Sequence, residues 1–179
     1  MGSLAAAAAM GWGCPNGGGG WEPDGSVDAD EEIDADLSQF DHPVRAARVI
    51  DGDTLVVRKD GESIHVRLIG VNCPEISPEP EPYGTEAAEF TSYHVPDLTW
   101  IGLEFDDEAC AAVAPPSHCL DTYDRLLAYI RTADGEDLGY ILLANGLAQV
   151  YDMAEFDRKT QYYEAEDYAR NLGVGIWSQ

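Results

Sequence analysis

The chain has 179 residues, of which 34 are Asp or Glu and ten are Lys or Arg, giving a formal charge of -24. That length suits one ordinary domain plus a tail and hardly two domains, and so negative a field excludes polyanion binding through a general basic surface. A content of 45% hydrophobic residues excludes a disordered acidic tract. An acidic surface around an ordinary core, with lysine cut to two residues, reads as adaptation to salt, since near 1 M the Debye length falls to about 3 Å. An acidic protein of ordinary salinity is the alternative.

Residues 1–40 read as a leader and linker without fixed structure. "MGSLAAAAAMGWGC" runs from small and apolar residues into Cys14, and "PNGGGG" and the acidic "EPDGSVDADEEIDAD" follow. This order resembles an export signal ending in a lipid-acceptor cysteine, although the basic start of such a signal is missing. A lipid anchor through Cys14 and an extracellular or cell-surface location are therefore expectations. No run reaches the ~20 apolar residues of a membrane-spanning helix.

The folded part is expected over residues 41–179. "VRAARVI" (Val44–Ile50), "TLVVR" (Thr54–Arg58) and "SIHVRLIGV" (Ser63–Val71) are rich in β-branched residues and divided by Asp51-Gly52 and Asp60-Gly61, which predicts a three-strand meander. After the proline-laden loop "PEISPEPEP", the segment Tyr83–Val95 predicts a helix with Ala87, Phe90 and His94 on one face. Strand character returns over Leu98–Phe105 and Arg125–Arg131. Asp137 is a candidate N-cap and Asn145-Gly146 a candidate C-cap for a helix between them. A last helix over about Glu155–Leu172 presents Tyr162, Ala165, Ala169 and Leu172 at helical spacing. Five strands with helices between and after them predict a mainly β, α+β fold, a small closed barrel carrying helices.

The four cysteines, Cys14, Cys73, Cys110 and Cys119, allow three fully paired connectivities. Cys110 and Cys119 bracket the Pro-rich "AAVAPPSH", a loop that a disulfide could close in an exported protein; two unlinked thiols are the equal alternative. The four histidines are scattered and give no zinc-binding pattern. Arginine is scarce, with eight in the chain, so Arg67 among apolar neighbours and close to Asp51, Asp53 and Glu75 is more informative than any single acid.

"VIDGDT", "RLIGVNCPE", "YGTEAAEFT", "LEFD", "DTYDRLLAYI", "NGLAQV" and "GIWSQ" follow one another as in the staphylococcal nuclease (thermonuclease) family, and the chain resembles a salt-adapted, haloarchaeal-like member of it over about Val44 to Trp177. The resemblance implies a five-stranded oligonucleotide-binding barrel with three helices and Ca²⁺-dependent hydrolysis of DNA or RNA phosphodiesters. It implies Arg67 and Arg125 as the groups that hold the phosphate and Glu75 as general base. Asp53, Asn72 and the main-chain carbonyl of Cys73 are implied as calcium ligands. Asn72 departs from the family pattern, which has an aspartate there; an amide oxygen can still ligate calcium, with one negative charge fewer. Tyr123 and Tyr151 read first as packing residues and second as platforms for bases. By itself "DGDT" reads as a hairpin turn with a solvated Asp. The resemblance implies nucleic acid as substrate, with a monomer and no obligate protein partner expected. The alternative is a nucleic-acid-binding barrel with weak catalysis.

Overall fold

The computed structural model describes residues 37–178; the expected leader, its linker to residue 36 and the lipid-acceptor Cys14 lie outside the described residues. Leu37–Gln39 form a short 3-10 turn, and Phe40 is buried against Gly102, where a Cβ would come within 2.9 Å of the Phe40 ring. Five strands close a barrel: β1 (His42–Val49), β2 (Thr54–Lys59), β3 (Glu62–Leu68), β5 (Trp100–Glu104) and β6 (Leu126–Arg131). They join in the order β1-β2-β3-β6-β5, and β5 pairs back with β1. All pairings are antiparallel except β3 with β6. Alternation along the strands sends Leu55, Val57, Val66, Ile101, Leu103, Ala128 and Ile130 inside, each at most 1% exposed. Burying a Val, Leu or Ile side chain of this kind contributes about 1.5–3 kcal/mol.

The predicted third strand ends earlier than its apolar run. Gly70, with φ of 70°, turns the chain after Leu68, and the Phe156 ring lies where a Gly70 Cβ would be, at 2.5 Å. Val71 and Asn72 therefore leave the barrel as β4 (Val71–Asn72), which pairs with β7 (Gln149–Val150). Two-residue strands of this kind leave no periodic trace in a sequence.

Three helices complete the domain. In α1 (Gly84–His94), Ala87 and Thr91 are fully buried, whereas Phe90 and His94 are only half-buried. Asp137 caps α2 (Leu138–Ala144) by accepting the Tyr140 N–H at 3.1 Å, as N-cap acids do. The last helix, α3 (Lys159–Leu172), starts four residues later than its apolar spacing suggests, because Phe156 is turned inward beneath Gly70. Its buried face comprises Tyr162, Ala165, Glu166 and Ala169; Leu172, expected on that face, is 56% exposed. Glu166 goes inside because its carboxylate accepts the Val150 N–H at 3.0 Å and pairs with Arg170 at 3.0 Å.

A polar cluster fastens α2 and α3 to the barrel. Arg158 pairs with Asp137 at 2.6 Å and with Glu104, and its guanidinium lies 4.0 Å from the centre of the Tyr129 ring. Arg131 takes the other oxygen of Glu104 at 2.9 Å, and Tyr162 donates to Asp137 at 2.9 Å. The two arginines hold the Glu104 carboxyl below its ordinary range even though burial works to raise it.

Candidate active site

Thr54 in β2 is in register with Arg67 in β3, and Arg67 in turn with Leu127 in β6. Three neighbouring strands thus bring the Asp51–Thr54 turn, Arg67 and the start of β6 together. Asp51 and Asp53 are 9% and 5% exposed, so the solvated hairpin suggested by "DGDT" alone is corrected. The turn is wedged inward at Gly52, whose Cβ, if present, would meet Cys73 Sγ at 2.6 Å and Ala87 Cβ at 2.8 Å. Thr91 of α1 donates its hydroxyl to the Gly52 carbonyl at 2.6 Å. Only glycine lets strand, loop and helix approach so closely.

Asp53 is the hub of the site. Its Oδ2 accepts the Cys73 N–H at 2.7 Å and pairs with Arg67 Nη1 at 3.1 Å, and its Oδ1 accepts the Thr54 hydroxyl at 3.1 Å. Burial, together with the neighbouring Asp51, pushes the Asp53 carboxyl up to about 7 against the pull of Arg67. Arg67 also donates to the carbonyl of Val71 at 2.7 Å and to Asn72 Oδ1 at 3.3 Å. Cys73 is buried, and burial with nearby Asp53 holds its thiol well above the usual range, which keeps it protonated and unreactive.

Arg125 reaches the same place from the loop before β6. It donates to Thr54 Oγ1 at 3.1 Å, so one hydroxyl accepts from Arg125 and donates to Asp53. Asp121 holds Arg125 in place, with its Oδ2 2.7 Å from both Nε and Nη2. Its Oδ1 accepts the backbone N–H groups of Tyr123 and Arg125 at 2.9 and 3.0 Å. Although burial works to raise it, these hydrogen bonds and the Arg125 charge keep the Asp121 carboxyl below its ordinary value. Thr54 and Asp121 are absent from the residues to which the sequence points. The signals available for them are slight: a Thr directly after Asp53, and an Asp four residues before Arg125.

Arg67, Asn72, Glu75, Tyr123, Arg125 and Tyr151 all line one cleft of about 790 Å³. Tyr123 is 79% and Tyr151 48% exposed, so neither is a packing residue. The Arg125 guanidinium lies 5.3 Å from the centre of the Tyr123 ring. Glu75 is exposed, and among the described residues its carboxylate has no hydrogen-bond partner. Cys110 and Cys119 are joined by a disulfide and form part of the cleft wall. With His118 they gather ligand atoms within 4.8 Å of one another, but sulfurs bonded to each other offer no thiolate to a metal.

The acceptor atoms offered around Asp53 are all oxygen, which is the chemistry a hard dication takes. Of the roughly four lone-pair directions a carboxylate offers, protein donors occupy three at Asp53, and one on Oδ1 is left. Asn72 is exposed and its Oδ1 accepts only from Arg67. The oxygen donors of these residues therefore fit calcium.

The profile described as Staphylococcal nuclease homologue matches residues 65–179. The chain is 35% identical over 142 residues to the thermonuclease of Staphylococcus hyicus, covering 75% of each chain. It is 35% identical over 136 residues to the thermonuclease of Staphylococcus intermedius, covering 74% of each. It is 33% identical over 137 residues to endonuclease YncB of Bacillus subtilis strain 168, covering 74% of this chain and 60% of the relative.

Proposed function

The chain belongs to the staphylococcal nuclease family, and from that premise we propose that it hydrolyses phosphodiester bonds of DNA or RNA with the help of calcium. The observation that carries this reading is the meeting of two guanidiniums, Arg67 and Arg125, with the exposed Glu75 carboxylate on one cleft. Two arginines linked through Thr54 and Asp53 present N–H groups that suit the non-bridging oxygens of a phosphate. In a chain of charge -24, they give the substrate a local attraction that the general surface does not.

In this reading Glu75 takes a proton from a water in the cleft, and the water oxygen forms a bond to phosphorus. The bond from phosphorus to the leaving oxygen breaks, and that oxygen gains a proton from solvent. Arg67 and Arg125 donate to the phosphate oxygens on which negative charge accumulates, stabilising the transition state more than the ground state. Asp53, Asn72 and the Cys73 carbonyl would hold calcium, which supplies further positive charge against those oxygens. Tyr123 and Tyr151 offer exposed rings on which bases can stack. The -24 charge supports work in high salt, and the Cys110–Cys119 disulfide supports an oxidising compartment and hence export.

The test is hydrolysis of denatured DNA and of RNA, with calcium or chelator, at about 0.1 M and about 2 M salt. Calcium-dependent cleavage is expected, and Arg67→Ala and Glu75→Gln should each lower kcat about 100-fold or more while the fold persists. Absence of cleavage by folded protein in every condition would overturn the reading. Asn72, with one charge fewer than an aspartate, favours a second reading, a binding module of weak activity; retention of single-stranded DNA without cleavage would favour it.

A further inference from the structure

Glu75 has no side-chain partner among the described residues, so its aim depends on its backbone, and the backbone is held at both ends by one residue. The Glu81 carboxylate accepts the Glu75 N–H at 3.1 Å, and the Glu81 N–H donates to the Glu75 carbonyl at 2.8 Å. This reciprocal pair closes the proline-rich segment 75–81 into a ring. The ring is fixed to α1 from below: the Gly84 N–H donates to the Glu81 carbonyl at 3.0 Å, and a Cβ on Gly84 would lie 2.5 Å from the Glu75 carbonyl oxygen. A backbone so confined leaves the Glu75 side chain little freedom other than its own rotamers.

Building on the phosphodiesterase reading, we propose that Glu81 is a positioning residue for Glu75, fixing the base at the cleft without touching substrate. Glu81 does not line the cleft. Its effect runs through the Glu75 main chain, and misplacing a catalytic group by about 1 Å can cost about 100-fold in rate. A neutral acceptor serves as well as a charged one, because the contact is to an N–H group. That separates positioning from any field the carboxylate exerts.

The experiment combines kinetics on denatured DNA at saturating calcium with amide hydrogen exchange at Glu75 and thermal melting, for wild type, Glu81→Ala and Glu81→Gln. Glu81→Ala should lower kcat about 10- to 100-fold and speed exchange of the Glu75 amide, with KM and Tm little changed. Glu81→Gln should restore kcat to within about threefold of wild type and restore the slow exchange, since its amide oxygen accepts the same bond. Unchanged kcat in Glu81→Ala, a loss that merely follows Tm, or a Glu81→Gln variant as impaired as Glu81→Ala would each overturn the proposal. Fast exchange of the Glu75 amide in wild type would overturn it whether or not the protein cleaves DNA. Slow exchange in a wild type that cleaves nothing would instead overturn the phosphodiesterase reading, and with it a positioning role.

Discussion

Replacing Asp53 by Asn should destroy calcium-dependent activity and yet stabilise the metal-free protein. Burial, with Asp51 nearby, pushes the Asp53 carboxyl from 3.8 to about 7 despite Arg67, so the folded state binds this proton more tightly than the unfolded chain does. The sign comes from linkage: the penalty for carrying the carboxylate is complete above about 7, fades as pH falls between about 7 and 3.8, and vanishes where both states are protonated. At about 1.4 kcal/mol per unit of pH, the penalty approaches about 4 kcal/mol near pH 8.5 and falls to about 1 kcal/mol near pH 4.5. Asn carries no charge, and its amide oxygen can accept the Cys73 N–H that Asp53 Oδ2 now accepts at 2.7 Å. In chelator, urea unfolding should therefore show Asp53→Asn more stable than wild type by up to about 4 kcal/mol near pH 8.5, the gap closing toward acid. Calcium at about 100 times its Kd should stabilise wild type by about 2.7 kcal/mol and leave the variant unmoved. A variant no more stable than wild type near pH 8.5, or a gap that does not change with pH, would refute the reasoning.

Asp121→Ala removes the two side-chain contacts from Asp121 to the Arg125 guanidinium and leaves only Thr54 and the Tyr123 ring to orient it; kcat should fall about 100-fold with the calcium midpoint unmoved, and a shifted midpoint would mean that Asp121 acts on the metal site instead. Asn72→Asp adds a carboxylate beside Asp53 and should lower the calcium midpoint, most at low salt, with kcat at saturation little changed; calcium titrations of activity measure both, and an unmoved midpoint would remove Asn72 from the ligand set. Thermal melts at about 0.1 M and about 2 M salt should show a higher Tm in the second, as screening relieves the self-repulsion of a net charge of -24. Equal midpoints would show that the acidity serves something other than stability in salt.

The parts of this molecule that are legible in its sequence are those with local causes. Arg67 stands out because cations are scarce, the barrel strands because β-branched residues cluster between Asp-Gly turns, and α2 because Asp137 is a capping residue. The parts that escape depend on contacts between residues far apart in the chain. Nothing near Gly52 announces that Thr91, 39 positions away, will bond its carbonyl, and so the Asp51–Asp53 turn reads as solvated although it is buried. Likewise Phe156 decides both where β3 ends, through Gly70, and where α3 begins. Glu166 is polar by composition and core by position, because its carboxylate accepts the Val150 N–H. The bond from Arg125 to Thr54, which passes the bridge on to Asp53, spans 71 positions, and no spacing rule finds a hydroxyl that serves two charged partners.

The allotment of cations in the fold has a genetic consequence. Arg45 donates to the Leu98 carbonyl, Lys59 to the Ala111 carbonyl and Lys159 to Glu155, and with Arg67, Arg125, Arg131, Arg158 and Arg170 they are eight of the ten basic residues in the chain, each with an acceptor. Among the described residues, exposed acids that contact nothing, such as Glu79, Glu89 and Asp167, are replaceable one by another, since a surface carboxylate of this kind changes stability by about 0.5 kcal/mol or less when lost. An arginine such as Arg158, which joins two acids and covers a tyrosine ring, is not replaceable even by lysine, which lacks the planar fork. Under mutation and selection the acids without contacts can drift while the eight paired basic positions are held. In such a lineage the few arginines record common descent longer than the many acids that dominate its composition.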